Sequence, residues 1–213
     1  SYRSESGFVP YATYAVANSL NANQLGGVIP ASVPTDEYLA ESELAEIGFK
    51  FLGFDDRIYA ALTYYDQEKT ERSGQLSSVT QTFSKGVEFE LRALITDQLS
   101  IIATATHSEI DEIGNIFTVI NGADFAAQNG LTPDQVYGGR ISADRDTLTG
   151  PGAKLERGGL PDNIVSLYGT WTQELFGGEV NASLGFTWVE ETHMDAMRSV
   201  LLPDYVVWTG SVG

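Results

Sequence analysis

The chain has no cysteine, so neither a disulfide framework nor a thiolate metal site is available to its 213 residues. It has few cations: 12 Lys and Arg stand against 29 Asp and Glu, a formal net charge of −17. Nucleic acid and an anionic cytoplasmic leaflet both need a basic surface, so neither is an expected partner. No apolar run approaches the roughly 18 residues of a spanning helix, which excludes a helical membrane protein but not a transmembrane barrel. The chain begins at Ser1, with no initiator Met and no charged-then-apolar signal segment, and reads as a processed or truncated piece of a longer protein. Nothing resembles a linker, so Ser1 to Gly213 is taken as a single unit.

Aromatics and glycine are plentiful, with ten Tyr, ten Phe, three Trp and 22 Gly. With 19 % charged residues, this is the composition of many strands and turns. The clearest unit is Ser84 to Asp111. Lys85, Val87, Phe89 and Leu91 alternate with Ser84, Gly86, Glu88, Glu90 and Arg92, the period 2 of a strand with one apolar and one polar face. Thr96, Asp97 and Gln98 break the pattern with turn chemistry, and an Ile and Thr-rich run from Leu99 to Ile110 follows. Two strands joined by so short a turn are antiparallel neighbours.

The same pattern recurs along the chain. Phe8 to Ala17, Glu43 to Phe51, Arg57 to Gln67, Asn163 to Gln173, Glu179 to Val189 and Pro203 to Gly213 bring the count to about eight strands. Short turns at Gly53 to Asp56, Thr96 to Gln98 and Phe176 to Gly178 alternate with long polar segments at Asn18 to Glu41, Lys69 to Ser78, Asp111 to Asp162 and Glu191 to Leu201. Inside the longest, Thr132-Pro133-Asp134-Gln135 has the chemistry of a helix start, which predicts a short helix through Tyr137. A soluble sandwich has no reason to keep its long loops at one end, whereas a transmembrane barrel has short turns on one side of the membrane and long loops on the other.

The segment ESELAEIGFKFLGFDDRIYAALTYYDQEKTE resembles a hairpin of TonB-dependent outer-membrane receptors, matched at Glu46, Gly48, Lys50 and Tyr64-Tyr65-Asp66-Gln67. SKGVEFELRALITDQLSIIATATHSEID is similar to the next hairpin, at Gly86, Val87, Glu88, Glu90, Thr96, Asp97, Leu99 and Ser100. GGLPDNIVSLYGTW and LPDYVVWTGSVG are similar to two later strands that start at Leu-Pro. These matches run from Glu41 to the end, the long loop apart. The resemblance implies an all-β, antiparallel, up-and-down transmembrane β-barrel segment, part of a 22-stranded barrel that an N-terminal domain plugs. Plug, TonB-box segment and last strands are not in the chain, so it is expected to be an internal piece of the barrel. The implied setting is the bacterial outer membrane. The implied partners are its lipid, the TonB complex acting through the absent plug region, and a scarce ligand such as a ferric siderophore. No catalysis and no resident cofactor are expected.

Glu46, Lys50, Glu88, Glu90 and Arg92 share the polar parity of their strands and would form a lumen wall touching plug or substrate, or a charge ladder that only stabilises the wall. Tyr137, Arg140, Arg145, Lys154 and Arg157 supply aromatic and cationic groups in the longest loop, where an anionic chelate would bind; pairing with nearby carboxylates is the plainer alternative. Glu88 and Glu90 as a glycosidase pair are disfavoured, since they lie on one strand about 7 Å apart. His107, expected on the outer face, and His193, in a loop, do not make a zinc site or a triad. Asp144-Arg145-Asp146 fails as a calcium loop because Leu148 holds a ligand position, and Asn181-Ala182-Ser183, a glycosylation match, lies inside a strand. A closed eight-stranded barrel used for adhesion or anchoring is the alternative architecture, disfavoured by the small polar Ser100, Thr104, Ser183, Gly185 and Thr187. A soluble all-β protein is the third reading, and the apolar faces of Val87 to Leu91 and Val180 to Trp188 argue against it.

Overall fold

The computed structural model describes residues 6–20, 33–34, 38–73, 78–113, 117–132, 135, 140–144, 153–175, 177–194, 198 and 200–213. Eight long strands form one antiparallel up-and-down sheet: β1 (Phe8–Leu20), β2 (Leu39–Gly53), β3 (Ile58–Ser73), β4 (Ser78–Leu94), β5 (Leu99–Ile113), β9 (Asn163–Leu175), β10 (Gly178–Val189) and β13 (Tyr205–Val212). Their order in space is their order in sequence, and a two-residue strand β8 (Leu155–Glu156) adds to β5. All eight strands expected from the alternation are present. β1 and β13 are the two edges and do not pair with each other, so the sheet is open and the closed eight-stranded alternative is not what forms.

Register follows parity, because opposed residues share a face. One face carries Phe8, Ile47, Phe49, Phe51, Leu62, Val87, Phe89, Leu91, Leu184, Phe186, Val206 and Trp208, all linked through the strand pairings. These side chains are largely uncovered: Ile47 and Leu184 are each 61 % exposed and Trp208 is 66 % exposed. Among the described residues the buried apolar side chains are Ala40, Ala61, Ala93, Ala126 and Val200 alone, too few for a core. The accessible surface, 13701 Å², far exceeds the roughly 9,700 Å² of a compact soluble monomer of this mass. The hydrophobic effect therefore does not hold this sheet together by an internal core, and its apolar face needs an apolar medium outside.

That face has an architecture of its own. At the short-turn end Phe8 packs on Phe49 and Phe51 with centroids 5.4 and 5.5 Å apart, and Phe54 meets Phe51 at 6.2 Å. At the opposite end Tyr14 donates through its hydroxyl to Glu43 at 2.9 Å, and the Trp188 indole N–H donates to Asp204 at 3.3 Å. The eight steps from Phe51 to Glu43 cover about 26 Å of strand, or about 20 Å of height at the usual tilt. Aromatics thus border the band at both levels, with polar tips on one side.

One expectation about the connections is corrected. Lys69 to Ser78, expected to be a polar loop, is mostly strand: β3 and β4 stay paired from Lys69↔Thr82 to Ser73↔Ser78. The backbone ladder thus continues beyond the stretch where apolar and polar residues alternate. The helix expected from Thr132 through Tyr137 lies outside the described residues except at Thr132 and Gln135, where the Gln135 backbone N–H donates to Thr132 O at 2.9 Å and the Thr132 N–H donates to Gln135 Oε1 at 2.8 Å. A helix that the alternation did not mark, α1 (Gly122–Asn129), lies upstream, between the paired strands β6 (Phe117–Asn121) and β7 (Arg140–Asp144). It ends at Gly130 with φ +66°, and the Leu131 N–H reaches back to Ala126 O at 2.8 Å. This is a glycine C-cap of Schellman type, and its Asn-Gly signal was in the sequence.

Candidate functional site: the polar wall and the rim above it

The polar face is concave across β1 to β4 and encloses a pocket of about 540 Å³. Glu46 and Lys50 of β2 and Glu88 and Glu90 of β4 line it, as parity required. Arg92 shares their face one step toward the short turns, where its Nε donates to Glu90 at 2.6 Å. Structure therefore brings together all five residues expected to make the wall. It adds Tyr11, Tyr59, Thr63, Tyr65, Gln67 and Ser84 to the lining. Tyr59 and Tyr65 were readable from the parity of Thr63, between them on β3; Tyr11 was readable only once β1 had been paired with β2.

The wall is shaped by tyrosines lying on glycines. Tyr11 faces Gly48, Tyr65 faces Gly86 and Tyr168 faces Gly185 in the strand register. A Cβ on Gly48 would stand 2.9 Å from the Tyr11 ring, and one on Gly86 would stand 2.8 Å from the Tyr65 hydroxyl. Each ring fills the space that a side chain on its partner would take, so the rings lie along the wall. Tyr11 also shares a hydrogen bond with Thr63 at 2.6 Å and carries the Lys50 ammonium 5.1 Å from its ring centroid. Lys50 and Arg92 are thus engaged. Among the described residues Glu88 has no ion-pair partner, leaving the wall a net acceptor of positive charge or hydrogen-bond donors. Farther along the sheet the same face is lined by hydroxyls, with Ser166 and Thr187 2.9 Å apart and Ser183 and Ser211 2.7 Å apart.

Of the five loop residues, Tyr137 and Arg145 lie outside the described residues, as does the Arg140 side chain, although the Arg140 backbone opens β7. Lys154 sits toward the apolar side of the wall, 3.1 Å from Asp111 and 4.6 Å from the Phe83 ring centroid. The Arg157 amide donates to Ile110 O at 2.7 Å, fixing that residue beside β5. Lys154 and Arg157 therefore stand at one rim of the sheet, outside the lining of the pocket of about 540 Å³. His107 is on the outer face as expected, its Nδ1 2.9 Å from Asn163 Oδ1.

Beside it, where the longest connection rejoins the sheet, the Ser108 N–H donates to Asp162 O at 2.8 Å. Burial pushes the Asp162 carboxyl above the usual carboxylate range, and the charges of Glu156 and Glu190 push it the same way. A carboxyl with a raised folded-state pKa binds more protons folded than unfolded, so this junction loses stability as pH rises through that value and regains it in acid. Protection of the Ser108 amide from exchange, corrected for intrinsic rate, is expected to increase as pH falls from neutral toward the carboxylate range. Asp162→Asn should flatten that dependence while keeping the backbone bond.

Comparison with solved structures gives the fold a reference. A structure of FpvAI in complex with pyocin S2 matches over 96 % of this chain at 15 % identity and a TM-score of 0.57. A structure of FpvA from P. aeruginosa, bound to a heterologous pyoverdine with iron, matches over 96 % at 15 % identity and a TM-score of 0.54. The chain spans about a quarter of each, 25 % and 24 % of their lengths. No family model and no curated protein sequence matches.

Proposed function

We propose that the chain is a stretch of barrel wall from a TonB-dependent receptor, an energy-coupled importer of the bacterial outer membrane, a reading supported by the fold it shares with the two FpvA structures. The observation that carries this reading is the two-faced open sheet: an uncovered apolar band bordered by aromatics on one side, a concave polar wall on the other, and two unpaired edges. In this reading Ser1 to Gly213 is one unit of a larger barrel, and β1 and β13 pair with further strands. Outer-membrane lipid covers the apolar band. Glu46, Lys50, Glu88, Glu90 and Arg92 face the lumen and the plug domain through which the TonB complex acts.

The proposed ligand is a ferric siderophore or similar iron chelate, by analogy with the iron-loaded pyoverdine on FpvA. Tyr137, Arg140, Arg145, Lys154 and Arg157 are its proposed contacts, because an anionic chelate favours cationic and aromatic loop groups. Lys154 must give up Asp111 to take part. The test is uptake of radiolabelled iron in an iron-starved host lacking its own receptors and expressing the full-length protein, across a panel of chelates. Accumulation that needs both the protein and TonB is the expected result. Binding and uptake of none of the iron chelates, with an alternative solute accumulating instead, would overturn the ligand class.

A further inference from the structure

We infer that an anionic ligand crosses the barrel along β5, β9, β10 and β13 rather than along β1 to β4, entering beside Arg157. The inference rests on the importer reading and adds the route. Glu46, Lys50, Glu88, Glu90 and Arg92 all stand on β2 and β4, three carboxylates against two cations. Both cations are engaged, Lys50 over the Tyr11 ring and Arg92 on Glu90, so an anion nearing that half of the wall meets Glu88 with nothing to offset it. The other half is different. Register carries the lumen face from Glu90 through Thr104, Ser166 and Thr187 to Val207. No residue on that face is charged from Ser100 to Ile110 of β5, Ile164 to Thr172 of β9, Asn181 to Val189 of β10 or Tyr205 to Ser211 of β13. β13 follows β10 after two short paired strands, β11 (Thr192–His193) and β12 (Leu201–Leu202), so the uncharged strands are neighbours in space. The next charged residues on this face are Glu112 above, 8 % exposed and out of a solute's reach, and the opposed Glu174 and Glu179 at the short-turn end.

The polar groups of this half satisfy one another across the strands: Ser166 with Thr187 at 2.9 Å, Ser183 with Ser211 at 2.7 Å and Thr172 with Asn181 at 2.7 Å. They offer a passing solute weak, repeated contacts and no fixed charge to hold it, which conduction requires, since a solute must leave as readily as it enters. The entrance is an independent observation. β8 sets Glu156 against Asp111 of β5, and the Arg157 N–H donates to Ile110 O at 2.7 Å. Asp111 is on the outer face, so the same register opposes Arg157 to Ile110 on the lumen side, at the head of the uncharged half. Arg157 is exposed and has no ion-pair partner among the described residues, whereas Lys154 is held by Asp111 on the apolar side. An exposed guanidinium above an uncharged wall draws an anion from water and passes it to a surface that does not retain it.

Single-cysteine variants of the full-length protein in intact cells test the route without a known ligand. Thr187→Cys on β10 and Thr13→Cys on β1, where Thr13 faces Glu46, are each treated from outside with an anionic and a cationic methanethiosulfonate of similar size. Thiolate reactivity enters both rates, so their ratio reports the local field. The anionic-to-cationic ratio is expected to be roughly fivefold higher at position 187 than at position 13. Arg157→Glu should lower anionic labelling at position 187 by a similar factor while sparing cationic labelling. Equal ratios at the two positions, no anionic labelling at position 187, or no effect of Arg157→Glu would overturn the route. The same measurements without TonB separate it from the importer reading: a ratio that holds with rates unchanged supports the route and counts against the energy coupling.

Discussion

Gly86→Ala in the full-length protein is expected to lower the stability of the lipid-embedded barrel by about 1–3 kcal/mol, read as a shift of the urea midpoint. A Cβ at this position runs into the His107 carbonyl oxygen of β5 as well as the Tyr65 ring. Backbone cannot swing aside as the tip of a side chain can, so β4 and β5 must separate. Tyr65→Ala should therefore fail to rescue Gly86→Ala. Gly185 provides the contrast, because the nearest obstacle there is the Tyr168 ring, with Leu167 O next at 2.9 Å. Gly185→Ala should be comparably destabilising, and Tyr168→Ala should recover part of the loss, since Leu167 O at 2.9 Å and the Tyr168 Cα at 3.2 Å remain in the way. Equal rescue at both sites would mean that the rings, and not the approach of the strands, set the need for glycine.

Leu184→Arg should be far more damaging than Ser183→Arg beside it on the opposite face. Leu184 is at the middle of β10, 61 % exposed on the apolar side, between Gly169 and Gly210 in the register. An arginine at the midplane of a bilayer on such a barrel costs about 2–4 kcal/mol. Ser183, the preceding residue, points to the polar wall and shares a hydrogen bond with Ser211. Ser183→Arg should fall within about 0.5 kcal/mol of the parent, the usual range for a solvated surface change. On a soluble sheet the order would not hold, since both positions would be wet and both substitutions nearly neutral.

The strands and the wall were legible because one physical constraint repeats along the chain. Apolar medium outside and polar contents inside impose period 2, so the grouping of Glu46, Lys50, Glu88, Glu90 and Arg92 came directly from parity. Where that constraint lapses, legibility lapses too. From Lys69 to Ser73 the strand stays paired with β4, yet no alternation in the sequence marks it as strand. α1 was hidden for a related reason: a helix of eight residues carries too few turns for a periodic stripe, and only its terminal Asn129-Gly130 betrays it. Contacts such as Gln128 with Leu201, 73 residues apart, follow from neither periodicity nor propensity. They depend on how the connections meet, which single-residue patterns do not encode.

The most direct test of the account is the environment of β10 in a bilayer. Single nitroxide labels placed in turn from Val180 to Trp188 in the full-length protein, reconstituted in lipid, report collision with oxygen, which concentrates in the bilayer, and with a water-soluble nickel complex. Labels at positions 180, 182, 184, 186 and 188 should meet oxygen and exclude nickel, and those at 181, 183, 185 and 187 should do the reverse. Uniform access of the nickel complex to both sets would contradict a membrane-facing wall, and with it the importer reading built on that wall.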